Sequence, residues 1–270
     1  MASQKMEIID GIECYASELI QNNDFYPDKD FAWLHQVEDG NFWFRARNKI
    51  LHRLFKRYVD NKNSIKVLEI GCGTGVVLKM LSNFKNIELF GAEISLDYLK
   101  FVKNRMPQVK VLQLDATNMP FTDEFDVICA FDIIEHITAD NLALKNIHQS
   151  LKPNGLVFIT VPQHKWLWSS DDDKAFHKRR YSRKELLEKV KMANFDTIFC
   201  SSFVFTLLPF MAISRWLKKK NKPEQGNIEF ALPAIINKIF YLLMLFDLLS
   251  MKLGLRLPAG GSLVVVARKK

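Results

Sequence analysis

From residue 65 onward the chain alternates short apolar runs with segments whose apolar positions recur every three or four residues. The runs are Ile65 to Ile70, Ile87 to Glu93, Val109 to Leu114, Phe125 to Phe131 and Leu156 to Val161. All are rich in Val, Ile, Leu and Phe, as strands buried on both faces are. Between them, "SLDYLKFVKNRM" and "DNLALKNIHQSL" carry the helical period. The alternation predicts an α/β architecture, a parallel sheet with helices on each face. Ser95 stands where an N-cap belongs, Ser182 and Glu185 have capping-box spacing, and "KPNG" at 152–155 predicts a turn before the fifth strand.

The ends of the chain read differently. Residues 1–60 read as helical, with aromatic and basic residues mixed in "NFWFRARNKILHRLFKRY"; a sixth strand starts at Phe195, and "SLVVVARKK" supplies the last. The expected organisation is an N-terminal helical lid over 1–60, a core over 61–205, a hydrophobic helical insertion over 206–257 and a returning strand over 258–270. Ligands of such open sheets sit at the carboxyl ends of the strands, so functional residues should directly follow each strand.

A chain of 270 residues, 48% hydrophobic and 25% charged, suits one large domain with a decorated edge. Its net charge of +8 suits nucleic acid, an anionic membrane surface or an acidic substrate, and its basic residues are too widely spread to choose among them. Cys14, Cys72, Cys129 and Cys200 lie far apart without a CxxC pair, which predicts buried thiols in a reducing, cytoplasmic compartment and no disulfide or zinc site. The opening "MASQKMEIIDGIECYASELI" has acids where a signal peptide needs an apolar core.

Chemistry enters with "VLEIGCGTGVVL", Val67 to Leu78, which reads as a strand, a tight turn and a helix start. Gly71, Gly73 and Gly75 fall one residue short of the dinucleotide fingerprint and by themselves could serve geometry alone. Two acids add meaning. Glu93, at the end of the second strand, can accept hydrogen bonds from both hydroxyls of a ribose. Glu69, two positions before Gly71, would repel a pyrophosphate but suits a ligand carrying an ammonium and a sulfonium. S-adenosylmethionine is such a ligand.

The segments "VLEIGCGTG", "AEIS", "LDATNMPF", "FDVICAFDIIEHI" and "LKPNGLVFITVP" resemble, in order, the motifs of class I S-adenosylmethionine-dependent methyltransferases, of the small-molecule and quinone-biosynthesis-like group. The resemblance runs continuously over residues 65–162. It implies a Rossmann-like, seven-stranded sheet whose last strand is antiparallel, with the hydrophobic insertion between the sixth and seventh strands. It also implies that Gly71 and Gly73 admit the methionine portion, that Glu93 binds the ribose, and that Asp115 with Ala116 recognises the adenine. Phe131 would lie near the reacting methyl, and Glu69, Cys72, Gly75 and Ile94 would line the same pocket. Asp115 has a plainer reading as a helix N-cap.

Methyl transfer from a sulfonium is an in-line displacement, so alignment and exclusion of water supply much of the catalysis. A base is needed where the nucleophile must lose a proton. "DIIEHI" places Asp132, Glu135 and His136 after the fourth strand, and His136, with an ordinary pKa of about 6.5, is the natural base. In the quinone-type O-methyltransferases that this segment resembles, such a cluster can bind a divalent metal; none is expected here. Asp132 and Glu135 also have the spacing of a capping box, which would account for both without chemistry. A second constellation, "PQHKWLWSSDDDKAFHKRRYS" at 162–182, is too polar for core and too long for a simple connection. It offers His177 or His164 as a rival base and His164, Trp168, Arg180 and Tyr181 as acceptor-binding residues, with Arg179 or Arg180 suited to a phosphate or carboxylate. Its plain reading is a solvated basic turn. Trp43, Arg45 and Arg47 of "FWFRAR" could close over the ligands, with core packing equally open to Trp43.

Nucleic acid is disfavoured as the acceptor. Enzymes that methylate base amines carry Asn or Asp, Pro-Pro and an aromatic after the fourth strand, where this chain has Phe131, Asp132, Ile133 and Ile134. The insertion holds two apolar segments, neither with about 20 uninterrupted apolar residues, which favours a hairpin lying on a membrane over a span. Lys218 to Lys220 would meet anionic headgroups; a tunnel for a lipid acceptor, a packed lid and a dimer face are the alternatives. The resulting expectation is methylation of a small, hydrophobic or lipid-linked acceptor, at oxygen, with peripheral membrane contact. Its rivals are a noncatalytic S-adenosylmethionine-binding or membrane-docking protein, methylation of a soluble sugar or acid and, remotely, an NAD dehydrogenase.

Overall fold

A computed structural model describes residues 6–20, 37–38, 40–60, 63–220 and 232–270, with backbone alone over 217–220. In chain order the strands are β1 (Glu7–Ile9), β2 (Ile12–Cys14), β3 (Ile65–Ile70), β4 (Ile87–Glu93), β5 (Lys110–Gln113), β6 (Phe125–Phe131), β7 (Leu151–Pro162), β8 (Phe195–Phe203) and β9 (Ser262–Lys269). They form one sheet in the order β1-β2-β5-β4-β3-β6-β7-β9-β8. The run from β5 to β7 is parallel, and β9 lies antiparallel between β7 and β8. The order reverses between β3 and β6, which puts the ligand crevice of an open sheet at their carboxyl ends. This is the expected Rossmann-like sheet with its last strand antiparallel, extended at one edge by β1 and β2.

The helices are α1 (Phe42–Tyr58), α2 (Val76–Leu81), α3 (Leu96–Arg105), α4 (Asp140–Ser150), α5 (Ser170–Lys174), α6 (Arg183–Met192), α7 (Leu208–Lys220) and α8 (Ala234–Lys252). Side chains of the strands alternate between two cores. Val67, Val264 and Val266 face α1, α2, α3 and α8, through Leu54, Phe55, Leu78, Leu99 and Met244. Leu68, Leu263 and Val265 face α4 and α6, through Leu144, Ile147, Leu186 and Val190. All four cysteines are buried and free.

Two local expectations change. Residues 7–14, read as helical, form a hairpin: Asp10 and Gly11 both have positive φ, 52° and 71°, as a two-residue hairpin turn requires. β2 then pairs parallel with β5, and the Gln113 side chain both accepts from Ala16 N and donates to Ala16 O, each at 2.9 Å. The "KPNG" turn is an irregularity inside β7, which starts at Leu151 and shifts register against β6 before Leu156. The insertion between β8 and β9 does contain two helices. Asn237 of α8 accepts from Phe42 N (2.7 Å) and donates to Gly40 O (2.9 Å), binding α8 to the start of α1. Residues 21–36 of the expected lid, residues 221–231 of the insertion and the side chains of Lys218 to Lys220 lie outside the described residues.

Candidate functional site

The turn after β3 needs its glycines: φ is +71° at Gly71, +48° at Gly73 and +82° at Gly75. A side chain at Gly71 would meet Ile133 at 2.6 Å, whereas one at Gly73 would meet nothing within 4 Å. Gly71 is therefore set by packing, and Gly73 leaves bare backbone facing open space. Gly71 N and Cys72 N donate to Ala92 O (2.8 and 3.0 Å), which pins the turn to β4. At the end of β4, the Glu93 carboxyl accepts from Gly73 N (3.3 Å) and Ile94 N (2.8 Å). Burial pushes that carboxyl up, and the two N–H groups oppose the shift.

Glu69 is 3% exposed, and its Oε2 has no hydrogen-bond partner among the described residues. Burial pushes its carboxyl well above the usual range; Arg47 opposes this, and Glu38 and Glu93 reinforce it. Glu38 also accepts from Thr74 Oγ1 (2.6 Å). Three acids thus converge on the glycine turn, a donor set that suits a cationic ligand and repels a pyrophosphate. With the open backbone at Gly73 and the orphaned Glu69 oxygen, these residues fit S-adenosylmethionine. After β5, Asp115 accepts from Thr117 N (2.8 Å) and Oγ1 (2.7 Å), beside buried Ala116. These bonds close a turn, and no helix starts there, so the N-cap reading falls.

The other half begins where β6 ends. Asp132 turns the chain at φ +52°, and Arg47 of α1 reaches it, Nη2 to Oδ2 at 2.6 Å. The same guanidinium lies 5.8 Å from the Phe131 ring centroid and 5.1 Å from that of Trp43. The next helix starts at Asp140, so Asp132 and Glu135 form no capping box. Glu135 is fully buried, with neither carboxyl oxygen hydrogen-bonded among the described residues. Burial, then the Asp132 charge, pushes its carboxyl well above the usual range. His136 is pushed down to about 4, first by burial and then by His177, so it is neutral at pH 7. The two imidazoles meet edge to face, centroids 4.8 Å apart, and with Glu135 they stand close enough to share a cation.

His177 is oriented by α5. Ser169 and Asp172 form a reciprocal capping box at its start, which fixes the Asp172 carboxylate. Asp172 Oδ1 accepts from His177 Nδ1 (2.8 Å) and Arg180 Nε (2.7 Å), and Oδ2 accepts from Ser169 N (2.9 Å). Burial alone would push this carboxyl up, but the bonds from His177 and Arg180 outweigh it and hold it below its usual range. An ionised Asp172 can only accept, so the proton of this bond is on His177 Nδ1 and the ring is held with Nε2 turned away from Asp172.

Two expected substrate contacts are corrected here. Tyr181 is fully buried, and its hydroxyl donates to Asp140 (2.7 Å), which also pairs with Arg179 (2.8 Å) and Lys189 (2.9 Å). Arg180 is 6% exposed and divided between Asp172 and Gln163 O. The protein's own acids occupy the arginines that were expected to meet an anion. His164 stays available: it has φ +66°, a buried Nε2 without a partner among the described residues, and a pKa lowered by burial and then by Arg180. Trp168 is half-buried and donates to Asp173 (3.1 Å).

A protein-family model described as a methyltransferase domain matches residues 34–203. The chain belongs to this methyltransferase family. Its cofactor is S-adenosyl-L-methionine. The methyltransferase is 32% identical over 120 residues to (S)-coclaurine N-methyltransferase of Papaver somniferum, an overlap of 42% of this chain and 34% of that one. It is 24% identical over 160 residues to ubiquinone biosynthesis O-methyltransferase of Rickettsia canadensis, an overlap of 58% and 65%. In each case the match spans less than two thirds of the relative's length. Among solved structures, phosphoethanolamine N-methyltransferase 2 of Haemonchus contortus, in complex with S-adenosyl-L-methionine, shares the fold: TM-score 0.54, 19% identity, 82% of this chain and 52% of that one.

The fold of the methyltransferase brings Asp132, His136 and His177 together beside Phe131. It gathers Glu69, Gly71, Cys72, Gly73, Gly75, Glu93 and Ile94 around the first turn. Sequence reasoning missed Asp172 and Glu38 and gave Arg47 no partner. The Ser-x-x-Asp spacing of Ser169 and Asp172 was the readable signal for the first; nothing local marks the other two.

Proposed function

We propose that this chain transfers a methyl group from S-adenosylmethionine to an oxygen of a small, hydrophobic, lipid-linked acceptor. The reading is carried by the His177–Asp172 hydrogen bond of 2.8 Å, set beside His136 at the end of β6. Bound S-adenosylmethionine supplies an electrophilic methyl on a sulfonium. Glu93 binds the ribose, the backbone at Gly71 and Gly73 faces the methionine portion, and Asp115 with Ala116 receives the adenine. Glu69 and Glu38 face its ammonium, and Arg47, shared with Asp132, is placed to meet its carboxylate.

His177 Nε2 takes the proton of the acceptor hydroxyl as the oxygen forms its bond to the methyl carbon. Bound S-adenosylmethionine would give up the methyl and keep the electron pair of that carbon–sulfur bond on sulfur. Asp172 stabilises the imidazolium that forms. His136, neutral at pH 7, packs against this base and limits its rotation. A positioned base is needed for a hydroxyl and dispensable for an amine already neutral, which favours oxygen as the nucleophile. The hydrophobic acceptor is supported by the apolar helix α8 of the insertion, which packs onto the lid helix α1.

The test is incubation of the protein with methyl-labelled S-adenosylmethionine and an extract of source cells, followed by partition between organic solvent and water. Label in the organic phase supports the lipid-linked acceptor. Label confined to water overturns that part in favour of a soluble sugar or acid, and no labelled product beyond the cofactor overturns the enzymatic reading.

A further inference from the structure

The helices α7 and α8 carry exposed apolar side chains that none of the described residues covers. Ile235, Ile239, Leu242, Phe246, Leu249 and Leu253 of α8 and its C-cap recur at alternating spacings of four and three, which places them on one stripe. Their exposures run from 49% to 71%. On α7, Phe210 and Ile213 are 53% and 57% exposed. The opposite face of α8 is fastened to the domain: Met244, Asp247, Ser250 and Met251 are buried, and Asp247 accepts from Phe205 N (2.6 Å) and Thr206 N (3.2 Å).

A third flank of α8 is basic. Lys252 and Leu248, one position round from the stripe, join Arg45, Lys49 and Arg53 of α1 along a groove of about 430 Å³. Arg45 and Lys49 lie over the Tyr241 ring, 4.3 and 5.2 Å from its centroid. The helices α1, α7 and α8 contain a single acid, Asp247, and it is the one turned inward. An apolar stripe bordered by cations, with no exposed acid on the three helices, is complementary to an anionic bilayer: acyl chains for the stripe, headgroups for the flank.

We infer that the apolar stripe of α8, with the exposed apolar residues of α7, docks this protein flat on an anionic membrane surface. By length and composition α8 is apolar enough to cross a membrane, but crossing would strip Asp247 and Asn237 from their partners. Lying in the interface keeps every one of those bonds. Arg215 of α7 pairs with Asp171 of α5, so the docked face adjoins the segment that orients His177. This inference stands apart from the methyl-transfer reading, because vesicle binding is measured without turnover.

The experiment is flotation of the full chain with vesicles of phosphatidylcholine alone or mixed with phosphatidylglycerol, alongside light scattering of the free protein. Binding to the anionic vesicles, reduced by salt and weakened about tenfold or more in the double variant L242E and F246E, is the expected result. The charge variant K49E and R53E should weaken it as well. Thermal melts and S-adenosylhomocysteine binding establish that each variant is folded. No vesicle binding by the wild type, or binding indifferent to both double variants, overturns the inference. So does a wild-type dimer that both apolar substitutions dissociate without changing vesicle binding, since the face then belongs to a second copy.

Discussion

The two halves of the site are built by different means. Around the glycine turn the groups are gathered by positive φ and by three acids, of which Glu69 leaves Oε2 open. Beyond β6 the groups are held by contacts between distant elements: Arg47 to Asp132, Asp172 to His177 and Arg180, Tyr181 to Asp140. An open polar atom is available for a ligand, whereas a saturated one fixes the direction of its neighbour. The first half should therefore report through affinity and the second through rate and stability.

The sharpest test of that division is His177→Ala. It should lower kcat by about 10²–10⁴-fold while S-adenosylhomocysteine affinity stays within about twofold; a large loss of cofactor affinity would break the comparison. Next is Glu93→Ala, expected to raise the S-adenosylhomocysteine Kd roughly 10–100-fold in calorimetric titration and to change kcat at saturating cofactor far less. Tyr181→Phe removes a buried hydroxyl from Asp140 and should cost about 2 kcal/mol, lowering Tm by roughly 4–8 °C without moving cofactor affinity.

The smallest effect sharpens the contrast inside the second half, where Glu135, like His164, breaks the pattern of saturation. Its folded carboxyl is raised by burial. The stability this carboxyl contributes is thus full below its unfolded pKa of about 4.3 and is lost as pH rises toward the folded value. Glu135→Gln, which does not titrate, should raise Tm by about 2–4 °C at pH 8 and by nothing at pH 4. A gain that is equal at both values would mean that packing, and not ionisation, distinguishes the two side chains.

The same contrast explains what the sequence made legible. The strands from Ile65 to Ile70, Ile87 to Glu93 and Phe125 to Phe131 match residue for residue, because strands buried on both faces announce themselves as continuous apolar runs. The glycines and Glu93 could be singled out as candidates because a doubly wound sheet places its ligands directly after such runs. β1 and β2, three residues each, are too short to show a period, although Asp10-Gly11 is a hairpin signal. In the 162–182 segment, composition shows that charge is present but not which partner it meets. Arg180 and Tyr181 turn inward to Asp172 and Asp140, and Asp172 itself is hidden in a run of three acids that reads as solvated.

The hairpin on the sheet edge sets a timetable. Ala16 and Gln113, which clasp β2 to β5, stand 97 residues apart. At ribosomal rates of about 5–20 residues per second, roughly 5–20 s separate the emergence of the two. A lone two-stranded hairpin is marginal in water, so β1 and β2 must wait through that interval largely unformed. Once β5 arrives, the sheet acquires a border only three residues long, and nascent chains on neighbouring ribosomes lose the open edge on which they could have added a strand.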